Sequence, residues 1–199
     1  MVDYKSGAKA FRLADIVNGL NLQMFLYLFN VCADDSNPYA GVPAGVLYMH
    51  AARSVLTVET KSSAERDIAG QEDKAFGMNG IVITNPDCDI PAAMEHDLAG
   101  KYIPVRLKKS GVGGSLASLE QLGLLQRKIE ALVADMGNAL QNGQIGQHPV
   151  QAKDHDKTCE YCDFASVCAF KKSVTPRTYD DQTDSAVLAE LEKEGENHA

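Results

Sequence analysis

Positive charge is scarce in this 199-residue chain. Lys and Arg number 19 against 27 Asp and Glu, for a formal net charge of −8 and a pI near 5.1. That excludes a general basic coat for nucleic acid, although a local basic groove or bound metal ions could still offer a positive surface. Long apolar runs are missing too. The longest apolar helical candidate, near residues 20–33, is too short and too polar to span a bilayer. No basic segment leads into an apolar stretch at the start, so no secretory leader and no membrane association are expected. There is no internal repeat. Five cysteines without a secretion signal point to a reducing compartment, where clustered thiols bind metal more often than they pair. What is present, 45% hydrophobic and 23% charged residues, is ordinary for a globular protein with a core. These features predict a soluble, cytoplasmic α/β protein, one large domain or a domain with an appendage.

Along the chain, Val2–Lys5 reads as the end of a strand and SGAKAFRLAD as the approach to a helix. Residues 14–32 carry Ile16, Val17, Leu20, Met24 and Leu28 at helical spacing, with Asp15 near the start, which predicts one helix. DDSNPYAGVPAG is a loop. GVLYMHAARSVL opens with continuous apolar residues, suited to a strand in a sheet covered on both faces. KSSAERDIAGQEDKAF reads as an exposed polar insertion, MNGIVITN as a short strand and KYIPVRLKKSG as another strand or hairpin arm, with GVGGS as a flexible connection. From Ser118 to Asn142 the residues Leu119, Leu122, Leu125, Ile129, Leu132, Val133, Met136 and Leu140 form one apolar stripe, closed by the glycines of QNGQIG. The stretch from Tyr179 to Ala199 is acidic and polar, with one loose helix expected around Val187–Lys193.

Two places carry chemistry. In VDYKSG, Asp3 and Lys5 stand two apart on a strand, so both side chains point to one face. Metal-assisted phosphodiester cleavage needs that pairing: a carboxylate for a divalent cation, and an ammonium to lower the pKa of the attacking water or steady charge developing at phosphorus. Gln23 and Tyr27, four apart, share one face of the following helix. Taken singly these are short motifs that arise by chance, and a Gln/Tyr pair is more often surface decoration.

The second place is CEYCDFASVC, which spaces Cys159, Cys162 and Cys168 as C-x2-C-x5-C. A C-x2-C turn offers both sulfurs to one point, so three thiolates can converge on a metal or cluster. Buried free cysteines are the plainer alternative, disfavoured by the tight clustering. Three ligands are one short of the usual four, and His155 is a local candidate for zinc. Cys32 and Cys88 stand alone and are expected in the interior or at element ends.

Taken in order, VDYKSG, GLNLQMFLYLF, PAGVLYM, MNGIVI and CEYCDFASVCAF resemble the nuclease domain of AddB/RexB-type helicase–nuclease subunits, a branch of the PD-(D/E)xK, RecB-like nucleases. The resemblance extends to about Phe170. It implies an α/β fold, a PD-(D/E)xK restriction-endonuclease-like core with a mixed sheet flanked by helices, over residues 1–150. A cysteine-bound segment would follow at 151–175, and an acidic, flexible tail at 176–199. Asp3 would be a metal ligand for Mg²⁺ or Mn²⁺, with the Tyr4 carbonyl as a further ligand, and Lys5 the catalytic lysine. Gln23 and Tyr27 would orient the site and the DNA backbone. Cys159, Cys162 and Cys168 would supply three of four ligands to a [4Fe–4S] cluster that staples the C-terminal segment to the core. The implied function is degradation of DNA ends by an exonuclease subunit, in double-strand-break repair and recombination, beside an AddA-like helicase–nuclease partner.

The resemblance is incomplete. In that family another acidic ligand, in a Gly-x-x-Asp-Arg context, lies on the strand before the D-x-K motif, and the first cluster cysteine lies further upstream. The expectation is therefore a core incomplete at its N-terminus, with one acid and one cysteine missing from the chain. Two alternatives stay open: a degenerate, non-catalytic module that binds DNA or protein, and a zinc-binding structural domain with His155 as fourth ligand.

Overall fold

The computed structural model describes residues 1–7, 9–34, 36–51, 76–146, 148–152, 159, 162–168 and 176–196. The expected polar insertion lies outside the described residues except for Phe76, as do residues 52–56 of GVLYMHAARSVL and His155. The chain divides into two compact units, Met1–Phe11 with Gln23–Gly123 and Arg12–Leu22 with Leu124–Ala199.

The first unit is built on a four-stranded sheet. Its strands are β1 (Val2–Lys5), β2 (Gly45–His50), β3 (Asn79–Thr84) and β6 (Leu116–Ser118), in the order β1-β2-β3-β6. β1 runs parallel to β2 with Asp3 opposite Tyr48, β3 is antiparallel to β2, and β6 is parallel to β3, so the sheet is mixed. Val46 and Leu47 are both buried, as are Ile81, Val82 and Ile83. Consecutive burial requires cover on both faces, as the unbroken apolar runs predict. One face meets helix α2 (Gln23–Ala33), where Phe11 bridges Tyr48 and Phe25 with ring centroids 6.2 Å from each. The other carries Leu47 and Val82 into a cluster with Ile90, Leu98, Ile103 and Val105, contributed by the short helix α3 (Ile90–Met94) and the chain after it. The strands of β2 and β3 approach so closely that a Cβ at Gly80 would land on the Val46 carbonyl, and Gly80 holds φ +151°. Only glycine fits there.

β4 (Val105–Lys108) and β5 (Gly111–Gly114) form an antiparallel hairpin. GVGGS, expected as a flexible connection, is thus mostly a strand. Its glycines hid the pairing, because strand propensity is read from side chains it does not have.

Helix α4 (Leu119–Gln141) opens on a capping box. Ser118 Oγ accepts from the Gln121 amide at 3.1 Å, and Gln121 Oε1 accepts from the Ser118 amide at 2.8 Å. It closes at Gly143, φ +66°, whose amide donates to the Leu140 carbonyl. The expected stripe is buried at Leu122, Leu125 and Ile129, whereas Val133, Met136 and Leu140 are exposed.

The second unit begins with α1 (Leu13–Val17). The single helix expected over residues 14–32 is in fact α1 and α2 with a break between. Asn18 Nδ2 donates to the Ala14 carbonyl, the Gly19 amide donates to the Ile16 carbonyl, and Gly19 and Asn21 adopt positive φ of 88° and 56°. The apolar spacing continues across the break, so periodicity alone could not show it; Gly and Asn are the residues that take that conformation at least cost. β7 (Val150–Ala152) pairs in parallel with β8 (Arg177–Tyr179), bracketing the cysteine segment and its short helix α5 (Ala165–Cys168). The stretch expected as an acidic, flexible tail contains α6 (Asp184–Glu196), with Val187, Leu188 and Leu191 buried. Their i, i+1, i+4 spacing gives a narrow apolar seam on an otherwise acidic helix. Among the described residues no helix is long and apolar enough to cross a membrane.

Candidate active site

β1 pairs only with β2 among the described residues, so it forms an edge of the sheet. Its alternation places Asp3 and Lys5 half-buried on one face and leaves Val2 and Tyr4 exposed on the other. Lys5 Nζ lies 2.6 Å from Asp3 Oδ2, and also 5.5 Å above the ring of Tyr48. The bond to Asp3 holds the Lys5 pKa above its ordinary value; partial burial opposes it, while the charge on Asp3 and the neighbouring Tyr48 add to it. Lys5 is therefore a fixed cation over the neutral range rather than a base.

The Leu47 amide donates to the Met1 carbonyl and the Ala51 amide to the Lys5 carbonyl. Alternation along a strand then turns the carbonyls of Val2 and Tyr4 away from β2, to the sheet edge. The Asp3 carboxylate and the Tyr4 carbonyl are oxygen donors on adjacent residues. That donor chemistry fits a hard divalent cation, which commonly keeps several waters and uses one or two carboxylates plus substrate phosphate.

Gln23 Nε2 donates to Tyr27 Oη at 3.1 Å on the exposed side of α2. The structure thus joins Asp3 with Lys5 and Gln23 with Tyr27, each pair closed on itself. Both belong to the first unit, and α2 packs on the face of β2 that Tyr48 shares with Asp3.

Tyr48 was not legible as a site residue. It neighbours Lys5 through strand register, which a single sequence does not display, and GVLYM offers only a generic buried strand. At the other sequence-predicted site, the Cys162 amide donates to the Cys159 carbonyl at 3.3 Å. Cys159 and Cys168 are half-buried and Cys162 is exposed. Among the described residues, no three His, Cys, Asp or Glu side chains converge as a metal-binding group. Cys32 is half-buried near the end of α2 and Cys88 is exposed in a turn.

A mixed sheet flanked by helices, with an Asp-x-Lys pair on an edge strand, is the arrangement that the sequence resemblance implies. A profile of the PD-(D/E)XK nuclease superfamily matches residues 1–169, and the chain belongs to that superfamily. It is similar to the B subunit of the ATP-dependent helicase/deoxyribonuclease of Oceanobacillus iheyensis, 32% identical over 210 residues that cover 100% of this chain and 18% of that protein. Proteins of the same name from Bacillus cereus and from Bacillus thuringiensis subsp. konkukian are each 31% identical over 207 residues, covering 98% of this chain and 17% of the relative. The chain spans less than a fifth of the length of these relatives.

Proposed function

We propose that this chain is the nuclease portion of a helicase–nuclease subunit that degrades DNA ends during double-strand-break repair and recombination, working beside an AddA-like partner. The observation that carries the reading is the Asp3–Lys5 pair at 2.6 Å, on the edge strand of a sheet of this superfamily. Asp3 and the Tyr4 carbonyl would supply part of the ligand set for Mg²⁺ or Mn²⁺, leaving the other positions to water, substrate phosphate and the further acid that the resemblance places before the D-x-K motif. When bound, that ion would activate water and offset charge on the scissile phosphate. Lys5, held protonated by Asp3, stabilises negative charge developing on the phosphate oxygens. Tyr48 fixes the ammonium from below by its ring face. Gln23 and Tyr27, pre-ordered by their mutual hydrogen bond, present an amide and a phenol to the DNA backbone. Cys159, Cys162 and Cys168 are assigned to a [4Fe–4S] cluster on their spacing and the family resemblance.

Digestion of linear duplex and single-stranded DNA in Mg²⁺ or Mn²⁺ tests the nuclease assignment. Loss of product is expected with EDTA, with Asp3→Asn and with Lys5→Ala, by roughly a hundredfold or more for the lysine. Digestion indifferent to both substitutions would remove the assignment. The cluster has its own readout. Anaerobically purified protein should be brown and absorb near about 400 nm, a band that Cys162→Ser weakens; a colourless preparation containing zinc would replace iron with the zinc alternative.

A further inference from the structure

The hairpin β4–β5 sits apart from Asp3 and Lys5, and its charge is opposite to that of the chain. From Leu98 to Leu119 there is no acidic residue, while Lys101, Arg106, Lys108 and Lys109 all occur there, in a protein of net charge −8. Residues directly opposite in an antiparallel pair share a face. Arg106 opposes Gly113 and Lys108 opposes Gly111, whereas Leu107 opposes Val112. One face of the hairpin therefore presents two long cations beside a strand that offers only glycine on that face, with Lys109 in the adjoining turn. The Lys108 chain lies back across this glycine floor, where a Cβ at Gly113 would sit 3.2 Å from its Cδ. Arg106, Lys108 and Lys109 are exposed, and among the described residues none of them meets a carboxylate. The hairpin root at Val105 packs in the layer beneath Leu47 and Val82, on the sheet face opposite Tyr48.

We infer that the Arg106/Lys108 face of the β4–β5 hairpin is a phosphate-backbone contact surface for nucleic acid, separate from the Asp3–Lys5 pair. Charge complementarity selects the occupant: cations that meet no carboxylate among the described residues, on a flat, open strand, suit a repeating anion that must approach the protein backbone closely. Glycine at 111 and 113 is what lets a bulky polyanion reach both side chains at once. With no base-reading side chain on the glycine strand, the contact is indifferent to sequence. It binds substrate and leaves the chemistry alone. The inference rests on the nuclease reading only for the identity of the polyanion as DNA.

Binding of a short fluorescent duplex, titrated over a range of salt without divalent metal, tests it. The variant R106Q/K108Q should lower the slope of log K against log [salt] by about 2, since each phosphate contact contributes about 0.9. The loss should be equal for unrelated sequences. A control of equal charge change elsewhere, R127Q/K193Q, should leave the slope nearly unchanged, and the charge-conserving exchange R106K/K108R should bind as the parent does. In digestion assays R106Q/K108Q should raise KM while kcat at saturating DNA is kept. An unchanged slope, or an equal change in the control, overturns the inference. So does DNA binding that ignores the pair while attachment to anionic vesicles requires it. The two readings fail separately. Digestion lost in Lys5→Ala with DNA binding unaffected by R106Q/K108Q leaves the nuclease without the hairpin surface. A hairpin-dependent slope with digestion indifferent to Lys5 does the reverse.

Discussion

Glu95 shows how one carboxylate can organise a loop. It is 8% exposed, and its oxygens accept from the amides of Lys101, Tyr102 and Ile103 at 2.9, 3.0 and 3.0 Å. Burial alone would push its pKa up, but the amides of Ile103, Lys101, Tyr102 and Gly100 outweigh that and hold it below the ordinary carboxylate value. A depressed folded-state pKa adds stability above the unfolded value near 4.5, and that contribution is lost as pH falls through the folded value. Glu95→Gln keeps one acceptor and replaces the other with a donor facing amide donors, so about 2–3 kcal/mol of stability should go at neutral pH. Denaturant melts at neutral and acid pH check this: the gap between parent and variant should be widest near pH 7 and shrink toward acid. A pH-independent gap would count against the charged carboxylate as the cause. None of this was visible in the sequence, where Glu95 is one of 27 acids and its donors are backbone amides. Asp3 and Lys5 were legible for the opposite reason: a two-residue spacing on a strand fixes a shared face without any knowledge of the partners.

At the scale of elements, β8 is tied to α1 through a second buried acid, Asp15, and α6 is tied to the same helix through Asp184. Asp15 Oδ1 accepts from Tyr179 Oη at 2.6 Å, and Oδ2 accepts from Arg12 at 3.1 Å and from Asn21 at 3.2 Å. Asp184 Oδ1 in turn accepts from the Leu13 amide at 2.8 Å and caps that short helix at its N-terminus. Burial first, and then the bond to Asp15 and its charge, raise the Tyr179 pKa well above its ordinary value, so the phenol stays a donor at any working pH. Tyr179→Phe removes a bond to a charged acceptor and should cost about 1.5–3 kcal/mol. Limited proteolysis should then cut the chain after β8 faster than in the parent, with Lys5-dependent digestion of DNA little changed. Equal protease resistance would mean that the buried Val187, Leu188 and Leu191 hold the segment unaided. The sequence predicted a helix around Val187–Lys193 but not its anchorage, since Asp15 and Tyr179 are 164 residues apart. Strands β2 and β3 were legible because their apolar runs are continuous. The break between α1 and α2 was not, because the hydrophobic period passes through Gly19 and Asn21 unaltered.

For the molecule as a whole, the proposed function poses an electrostatic difficulty: a chain of net charge −8 would have to approach a polyanion. At the edge strand the Asp3–Lys5 pair is locally neutral, so without metal it offers DNA little attraction. With a divalent ion on Asp3 and the Tyr4 carbonyl, the local sum would become strongly positive without altering the rest of the surface, and Lys5 would be released toward phosphate. One added charge-assisted phosphate contact is worth about 1.5 kcal/mol, or roughly tenfold in affinity. Duplex binding measured with Ca²⁺ against EDTA should therefore tighten by about that factor in the parent chain. Asp3→Asn should abolish the metal dependence and itself raise the metal-free affinity by about that factor, because it frees Lys5 and removes a negative charge at once. In R106Q/K108Q the metal-dependent factor should persist on top of a weaker baseline, since the hairpin and the edge strand act on different stretches of backbone. A metal effect that vanished with the hairpin charges, and not with Asp3, would place the cation away from the edge strand and remove the whole assignment of Asp3 and Lys5.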